Sequence, residues 1–278
     1  MGKTKILVCC HKPDIYRESD VFLPIHVGKA LSNTSLNMQG DNEGYNISNK
    51  NSSYCELTGM YWAWKNLSNV DYIGLCHYRR YFDFNNIGRS FFPSTTINTQ
   101  LFDSLNLDIN SKITRFLEQG GCVIAKPVHL HTSLYLQYCE GHYSSDFRTL
   151  GDVILETQPS KYIDGFWKYL VGSNLFSPYN MFIMNWEEYD RYCNWLFNIL
   201  EDFESRIDIT HYPVYQKRLF GFIAERLLNL YVRTNSIKTL KSPVLKISDE
   251  PEVDNVSLGK YCFRTIVRDL AVKVVGRN

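Results

Sequence analysis

The sequence predicts an α/β fold, because strand-length apolar runs alternate with longer segments of helical periodicity. Lys5–Cys10 (KILVCC), Tyr72–Cys76 (YIGLC) and Cys122–Ala125 (CVIA) are apolar runs of the kind that strands buried on both faces need. Glu187–Phe203 carries Tyr189, Tyr192, Leu196, Ile199 and Phe203 at helical spacing, and Arg218–Tyr231 carries Phe220, Ile223, Leu227 and Leu230. The strand at Tyr72 ends abruptly in His77-Tyr78-Arg79-Arg80-Tyr81. Ligands of α/β sheets bind beyond the carboxyl ends of the strands, so this string stands at an expected site mouth.

In chain order, KILVCC opens into the polar His11-Lys12-Pro13-Asp14, a place for a nucleotide or an ordinary loop. Phe22–Leu31 suits a short strand or helix. Asn37–Ser53 is a loop by composition, and its Asp41, Asn46, Ser48 and Asn51 suit either ligand contact or turn chemistry. Tyr54–Leu67 has helical spacing, with Glu56 and Thr58 near its start as capping groups or ligand contacts. Asp83–Asn110 is a polar stretch expected to cover the site or form a small subdomain. Ser111–Gln119 is expected helical and closed by Gly120-Gly121. A helix over Thr132–Asp146 should break at Gly141 into His142, and Asp146–Thr157 and Lys161–Gly172 read as further helices. Phe176–Asn185 reads as a strand with Asn180 at its entrance, and Leu240–Val256 as a polar linker.

The 278 residues are 44% hydrophobic and 14% aromatic, enough for one large α/β domain or two small ones. A net charge of +1 gives no global argument for nucleic acid. The eight cysteines show no CxxC and no zinc spacing, which fits a reducing cytoplasm. The N-terminal apolar run is too short for a signal peptide, and no run approaches a membrane span. There is no GxGxxG, P-loop or HExxH string, which disfavours dehydrogenase, kinase and metalloprotease chemistry.

Four stretches resemble a known family: Asp41–Asn66 (with ELTGMYWAWKN), Tyr72–Phe82 (with HYRRYF), Tyr179–Asn185 (YNMFIMN) and Arg218–Tyr231 (RLFGFIAERLLNLY). They look like bacterial capsular and exopolysaccharide glycosyltransferases of the domain-of-unknown-function 4422 type. The resemblance implies a GT-A-like, Rossmann-type mixed sheet flanked by helices. It also implies a nucleotide-sugar donor, expected to be a UDP-hexose in pyranose or furanose form, and a glycan or lipid-linked oligosaccharide acceptor. The resemblance runs from about Lys3 to about Val232; with the polar composition that follows, the chain is expected to divide into a transferase domain, 1–240, and a linker with a basic amphipathic C-terminal helix, 241–278.

Most GT-A enzymes carry Asp-x-Asp after a strand like Tyr72–Cys76, where the carboxylates hold a divalent cation on the donor diphosphate. His77-Tyr78-Arg79 stands there instead. Guanidinium forks also stabilise a leaving diphosphate, so Arg79 and Arg80, with Arg218 and Lys12 as further members, are the expected clamp. Independence of Mn²⁺ or Mg²⁺ is favoured, with His77 the metal ligand if one is needed, alongside Asp83 or His142. Inverting transfer needs a carboxylate base. Glu225 follows the acceptor-like strand in chain order, as the catalytic carboxylate does in many inverting GT-A enzymes, and Asp146 is second; pairing of Glu225 with Arg218 or Arg226 is the plainer alternative. Rival readings are a non-catalytic glycan-binding module and another phosphate-dependent transferase. The tail, Gly259–Asn278, sets Phe263, Ile266, Val267, Leu270 and Val274 on one helical stripe. Five basic residues stand there against the single acid Asp269. It suits either an anionic membrane surface, making the protein peripheral to the inner face of the membrane, or packing on the domain.

Overall fold

Two cores separated by a twisted sheet organise the chain, and they follow from strict alternation along the first strand. Leu7 and Cys9 enter one core, while Ile6, Val8 and Cys10 enter the other. The computed structural model describes residues 2–88, 91–250 and 258–275.

The strands are β1 (Thr4–Cys10), β2 (Phe22–His26), β3 (Gln39–Gly40), β4 (Tyr72–His77), β5 (Arg80–Phe82), β6 (Ser94–Ile97), β7 (Cys122–Ala125), β8 (Val128–His129), β9 (Leu175–Phe176), β10 (Phe182–Asn185), β11 (Thr239–Ser242) and β12 (Val244–Ile247). The main path runs β11-β7-β10-β4-β1-β2-β3. Within it β10 is antiparallel to both neighbours, and the remaining pairs are parallel. From β1 the chain steps outward through β2 and β3, then returns to place β4 on the other side of β1. That reversal leaves a crevice at the carboxyl ends of β1 and β4, where open α/β sheets take their ligands.

The helices are α1 (Asn51–Tyr54), α2 (Leu57–Asn66), α3 (Thr99–Ser104), α4 (Ser111–Glu118), α5 (Leu134–Gly141), α6 (Ser144–Thr157), α7 (Ser160–Gly165), α8 (Trp186–Ser205), α9 (Leu219–Thr234) and α10 (Leu258–Val275). Helices α2, α5, α6, α8 and α9 bury their apolar stripes on one face of the sheet. The other face is covered by α3, α4, β5, β6 and β12. Helix α9 is nearly all buried, which fits a sequence apolar on most sides.

Four expectations change. The helix expected from Tyr54 is broken at Cys55, whose φ is 53°, so only Leu57–Asn66 continues as α2. Phe176–Asn185 is two strands around a left-handed turn, with Tyr179 at φ 76° and Asn180 at φ 53°. Lys161–Gly172 leaves α-geometry at Phe166, and Phe166–Val171 is a π-helical turn. Leu240–Val256 is not linker in its first half: β11 extends the sheet beside β7, and β12 joins β5 to β6. Its composition looks polar because Lys241 and Lys246 alternate with the buried Ser242, Val244, Leu245 and Ile247. Asp83–Asn110 contributes β6 and α3 to that second layer, and Asn98 caps α3 with its side chain.

Candidate active site

The crevice is a cleft of about 880 Å³. Strand ends supply Cys9, His11, His77, Tyr78 and Arg80; the Asn51–Glu56 turn supplies Asn51, Cys55 and Glu56; the amino end of α9 supplies Lys217, Arg218, Phe222 and Glu225. Tyr179 closes one side. No side chain caps α9, so its positive dipole end and Arg218 stand together at the cleft, an arrangement that favours an anion.

Tyr179 and Asn180 tie the wall together. The Tyr179 carbonyl accepts from His77 Nε2 at 2.7 Å, and its N–H donates to Glu225 Oε1 at 3.0 Å. Its ring lies 4.9 Å beneath the Arg80 guanidinium. Asn180 Nδ2 donates to Glu56 Oε1 at 2.7 Å. Each of these contacts needs the left-handed turn, and with Cys55 it makes three non-glycine residues of positive φ around one cleft. Such strain persists where the surroundings hold it, commonly at functional sites.

Burial, then the charge of Arg80, pushes the His77 imidazole down to about 4, so it is neutral and its Nε2 hydrogen is committed to Tyr179. Burial raises both cleft carboxyls, Glu56 and Glu225, above the ordinary range, and each lies in a wall with an opposing pull from nearby cations. Glu225 Oε2 is 3.6 Å from the buried Arg226 guanidinium. Arg226 is itself held between the rings of Tyr138 and Phe176 and bonded to Gln137. Arg218 lies over the Phe222 ring and donates to Cys55 Sγ at 3.4 Å. Among the described residues neither Arg80 nor Arg218 has a carboxylate partner.

The residues singled out from sequence divide accordingly. His11, Asn51, Glu56, His77, Tyr78, Arg80, Arg218 and Glu225 line the cleft, and Asn180 stands behind Glu56. Arg79 does not: it sits in the two-residue turn between β4 and β5 and reaches Asp14 at 2.7 Å and the Ile247 carbonyl instead. Lys12 is at the same exposed turn, 3.9 Å from Asp14. Asp146 is buried under Tyr212, which donates to it at 2.7 Å, and is outside the cleft wall. Asp41 and Ser48 are hydrogen-bonded to each other, and Asp41 accepts from the N–H groups of Gly28 and Lys29. Asn46 makes a turn with Asn42 and Gly44, and Thr58 bonds the Cys55 carbonyl. Those four serve the loop instead. His142 bonds Gln216 and packs on Phe222 at the cleft's back. Asp83 caps the N–H groups of Ile87 and Gly88, so His77, Asp83 and His142 do not assemble into a metal-ligand set. No other three His, Cys, Asp or Glu side chains converge among the described residues. Tyr179, Cys55, Lys217 and Phe222 went unnoticed in the sequence, where nothing marks a left-handed turn at two non-glycine residues.

The family described as "Domain of unknown function (DUF4422)" matches residues 5–236. The chain belongs to the DUF4422 family. A solved structure titled "WbbM bifunctional glycosytransferase apo structure" superposes with a TM-score of 0.81 at 27% identity, over 92% of this chain and 48% of that one. This DUF4422 chain thus spans about half the length of that bifunctional protein and shares a glycosyltransferase fold with it. No curated protein matches.

Proposed function

We propose that this DUF4422 chain is a cytoplasmic glycosyltransferase of surface-polysaccharide synthesis, moving a hexose from a UDP-sugar to a glycan acceptor with inversion. The observation that carries the reading is the pairing of two carboxylate-free guanidiniums, Arg80 and Arg218, with two carboxylates, Glu56 and Glu225, across one cleft at the sheet's switch point. The guanidiniums, with Lys217 and the end of α9, take the diphosphate. Glu225 takes the proton from the acceptor hydroxyl as its oxygen bonds to the anomeric carbon, and the bond from that carbon to the diphosphate oxygen breaks. Charge then develops on the diphosphate, where the two forks stabilise it. Glu56, oriented by Asn180, is placed to accept from sugar hydroxyls.

A panel of nucleotide diphosphates screened for thermal stabilisation tests the reading. A ligand at ~100-fold excess over Kd stabilises by about 2.7 kcal/mol, so UDP should raise the midpoint by several degrees. A flat response to every nucleotide, with binding of free glycan, favours a glycan-binding module instead. Transfer in excess EDTA should remain substantial, since the cationic side chains supply the countercharge. Complete loss, restored by Mn²⁺ or Mg²⁺, would reverse that assignment.

A further inference from the structure

Tyr179 touches both halves of the cleft. Strands β4 and β5 meet in a two-residue turn that pairs His77 with Arg80 across the hairpin. Both reach Tyr179: His77 Nε2 donates to its carbonyl at 2.7 Å, and the Arg80 guanidinium lies 4.9 Å from its ring centroid. From the opposite wall, α9 presents Glu225, whose Oε1 accepts the Tyr179 N–H at 3.0 Å. A carbonyl only accepts, so His77 carries its hydrogen on Nε2. The turn that holds Tyr179 is itself pinned to α9. Asn229 accepts from the Ser177 N–H at 2.8 Å and donates to the Ser177 carbonyl at 2.9 Å, and it also donates to the Glu225 carbonyl at 2.8 Å. Positive φ at Tyr179 and Asn180 is unfavourable for residues that carry a Cβ, so these bonds hold the turn where local preference would not.

We propose that Tyr179 is a positioning residue that fixes the base against the diphosphate clamp: its ring seats Arg80, and its N–H, locked by the His77 bond, holds Glu225 toward the acceptor. The inference rests on the transferase reading. The two oxygens of Glu225 are in different situations. Oε1 is held by Tyr179, while Oε2, 3.6 Å from Arg226, accepts no hydrogen bond among the described residues. That leaves Oε2 to take the acceptor proton. Glu225 is faced by Arg226 from its own helix, Glu56 from the Cys55 turn and His77 from β4. A hydrogen bond to a carboxylate favours its charged form, so the Tyr179 N–H opposes the effect of burial and keeps Glu225 a base. The ring has a separate role. A guanidinium held over an aromatic face keeps its N–H edges for phosphate oxygens.

Two readouts separate these roles, and neither needs the sugar to be known. UDP affinity by calorimetry reads the clamp. The ¹³C resonance of the Glu225 carboxyl, assigned by its absence in Glu225→Gln, reads the base through its titration midpoint. Tyr179→Gly tolerates positive φ and keeps the backbone bonds. It should lose roughly 2–30-fold in UDP affinity, the size of one cation–π contact, with the Glu225 midpoint at its wild-type position. Tyr179→Phe should recover the lost affinity. His77→Leu removes the donor that locks the turn. Its Glu225 midpoint should move to higher pH with UDP affinity retained, and His77→Gln, whose amide N–H replaces the imidazole donor, should bring it back. Wild-type values of both readouts in Tyr179→Gly and His77→Leu would overturn the proposal and spare the transferase reading. A uniform loss of thermal midpoint and of both readouts in every variant, Tyr179→Phe and His77→Gln included, would also overturn it, since that marks a merely structural turn. Wild type that binds no UDP, with the Glu225 midpoint still displaced in His77→Leu, would overturn the transferase reading and leave Tyr179 as the residue that sets the carboxylate.

Discussion

Glu225 and Glu56 are two carboxylates in one cleft, and their hydrogen bonds separate their roles. Glu225 accepts from a backbone N–H, and Glu56 accepts from the Asn180 amide. Glu225→Gln keeps the shape and removes the proton acceptor, so turnover should fall by ~10²–10⁴ with UDP affinity unchanged. Steady-state transfer beside calorimetry checks this; the reverse pattern, with Glu56→Gln as the crippled variant, would move the base to Glu56. Because burial raises Glu225 above the usual carboxylate range, the acid limb of kcat/KM should fall off above 4.5 in pH. His77 makes a second residue-scale prediction. Its folded value is about 4 against 6.5 for the free side chain. The unfolded chain therefore binds the extra proton between those values, and stability is lost as pH falls through them. By pH 5 the loss is about 2 kcal/mol. Urea unfolding at pH 7 and pH 5 should show it, and His77→Gln should flatten it. Arg79 was as legible as Arg80 in HYRRYF, but Arg79 falls in the turn between β4 and β5 and reaches Asp14, while Arg80 opens β5 and lines the cleft. Only the folded position of that turn separates them. Removing Arg79 should cost about 1 kcal/mol of stability, since the pair with Asp14 is 42% exposed on the arginine side.

At the level of elements, α9 is placed by a glycine. A Cβ on Gly221 would meet Cys55 Sγ at 3.1 Å and Cys55 Cβ at 3.2 Å. Cys55 has φ 53° and has little freedom to retreat. Gly221→Val should therefore push the first turns of α9 away from the Cys55 turn, carrying Arg218 and Glu225 with it. A loss of about 1–3 kcal/mol is expected from overpacking, together with weakened UDP binding in calorimetry. Unchanged affinity at reduced stability would mean that the clamp does not depend on this contact. The periodic elements were the readable ones: β1, β4, β7, α8 and α9 announce themselves by pattern. The Cys55 turn and the Tyr179-Asn180 turn do not, because tertiary contacts hold those non-glycine residues at positive φ against local preference. β11 and β12 are hidden for another reason: Lys241 and Lys246 interrupt the buried Ser242, Val244, Leu245 and Ile247, so neither strand shows as an apolar run.

Over the whole molecule, strand order makes the site, since the crevice exists only because β4 returns to the far side of β1. No local pattern encodes that reversal; the family resemblance implied a Rossmann-type mixed sheet but not its strand order. The result is one end of a sheet carrying arginines and carboxylates together. Under the proposed function, Arg80 and Arg218 hold a nucleotide diphosphate there. Calorimetric titration of UDP into wild type, Arg80→Lys and Arg218→Lys tests it most directly. A lysine keeps the charge but not the planar fork, so each variant should lose on the order of 1.5–3 kcal/mol of binding. Wild-type affinity in both variants would contradict the account.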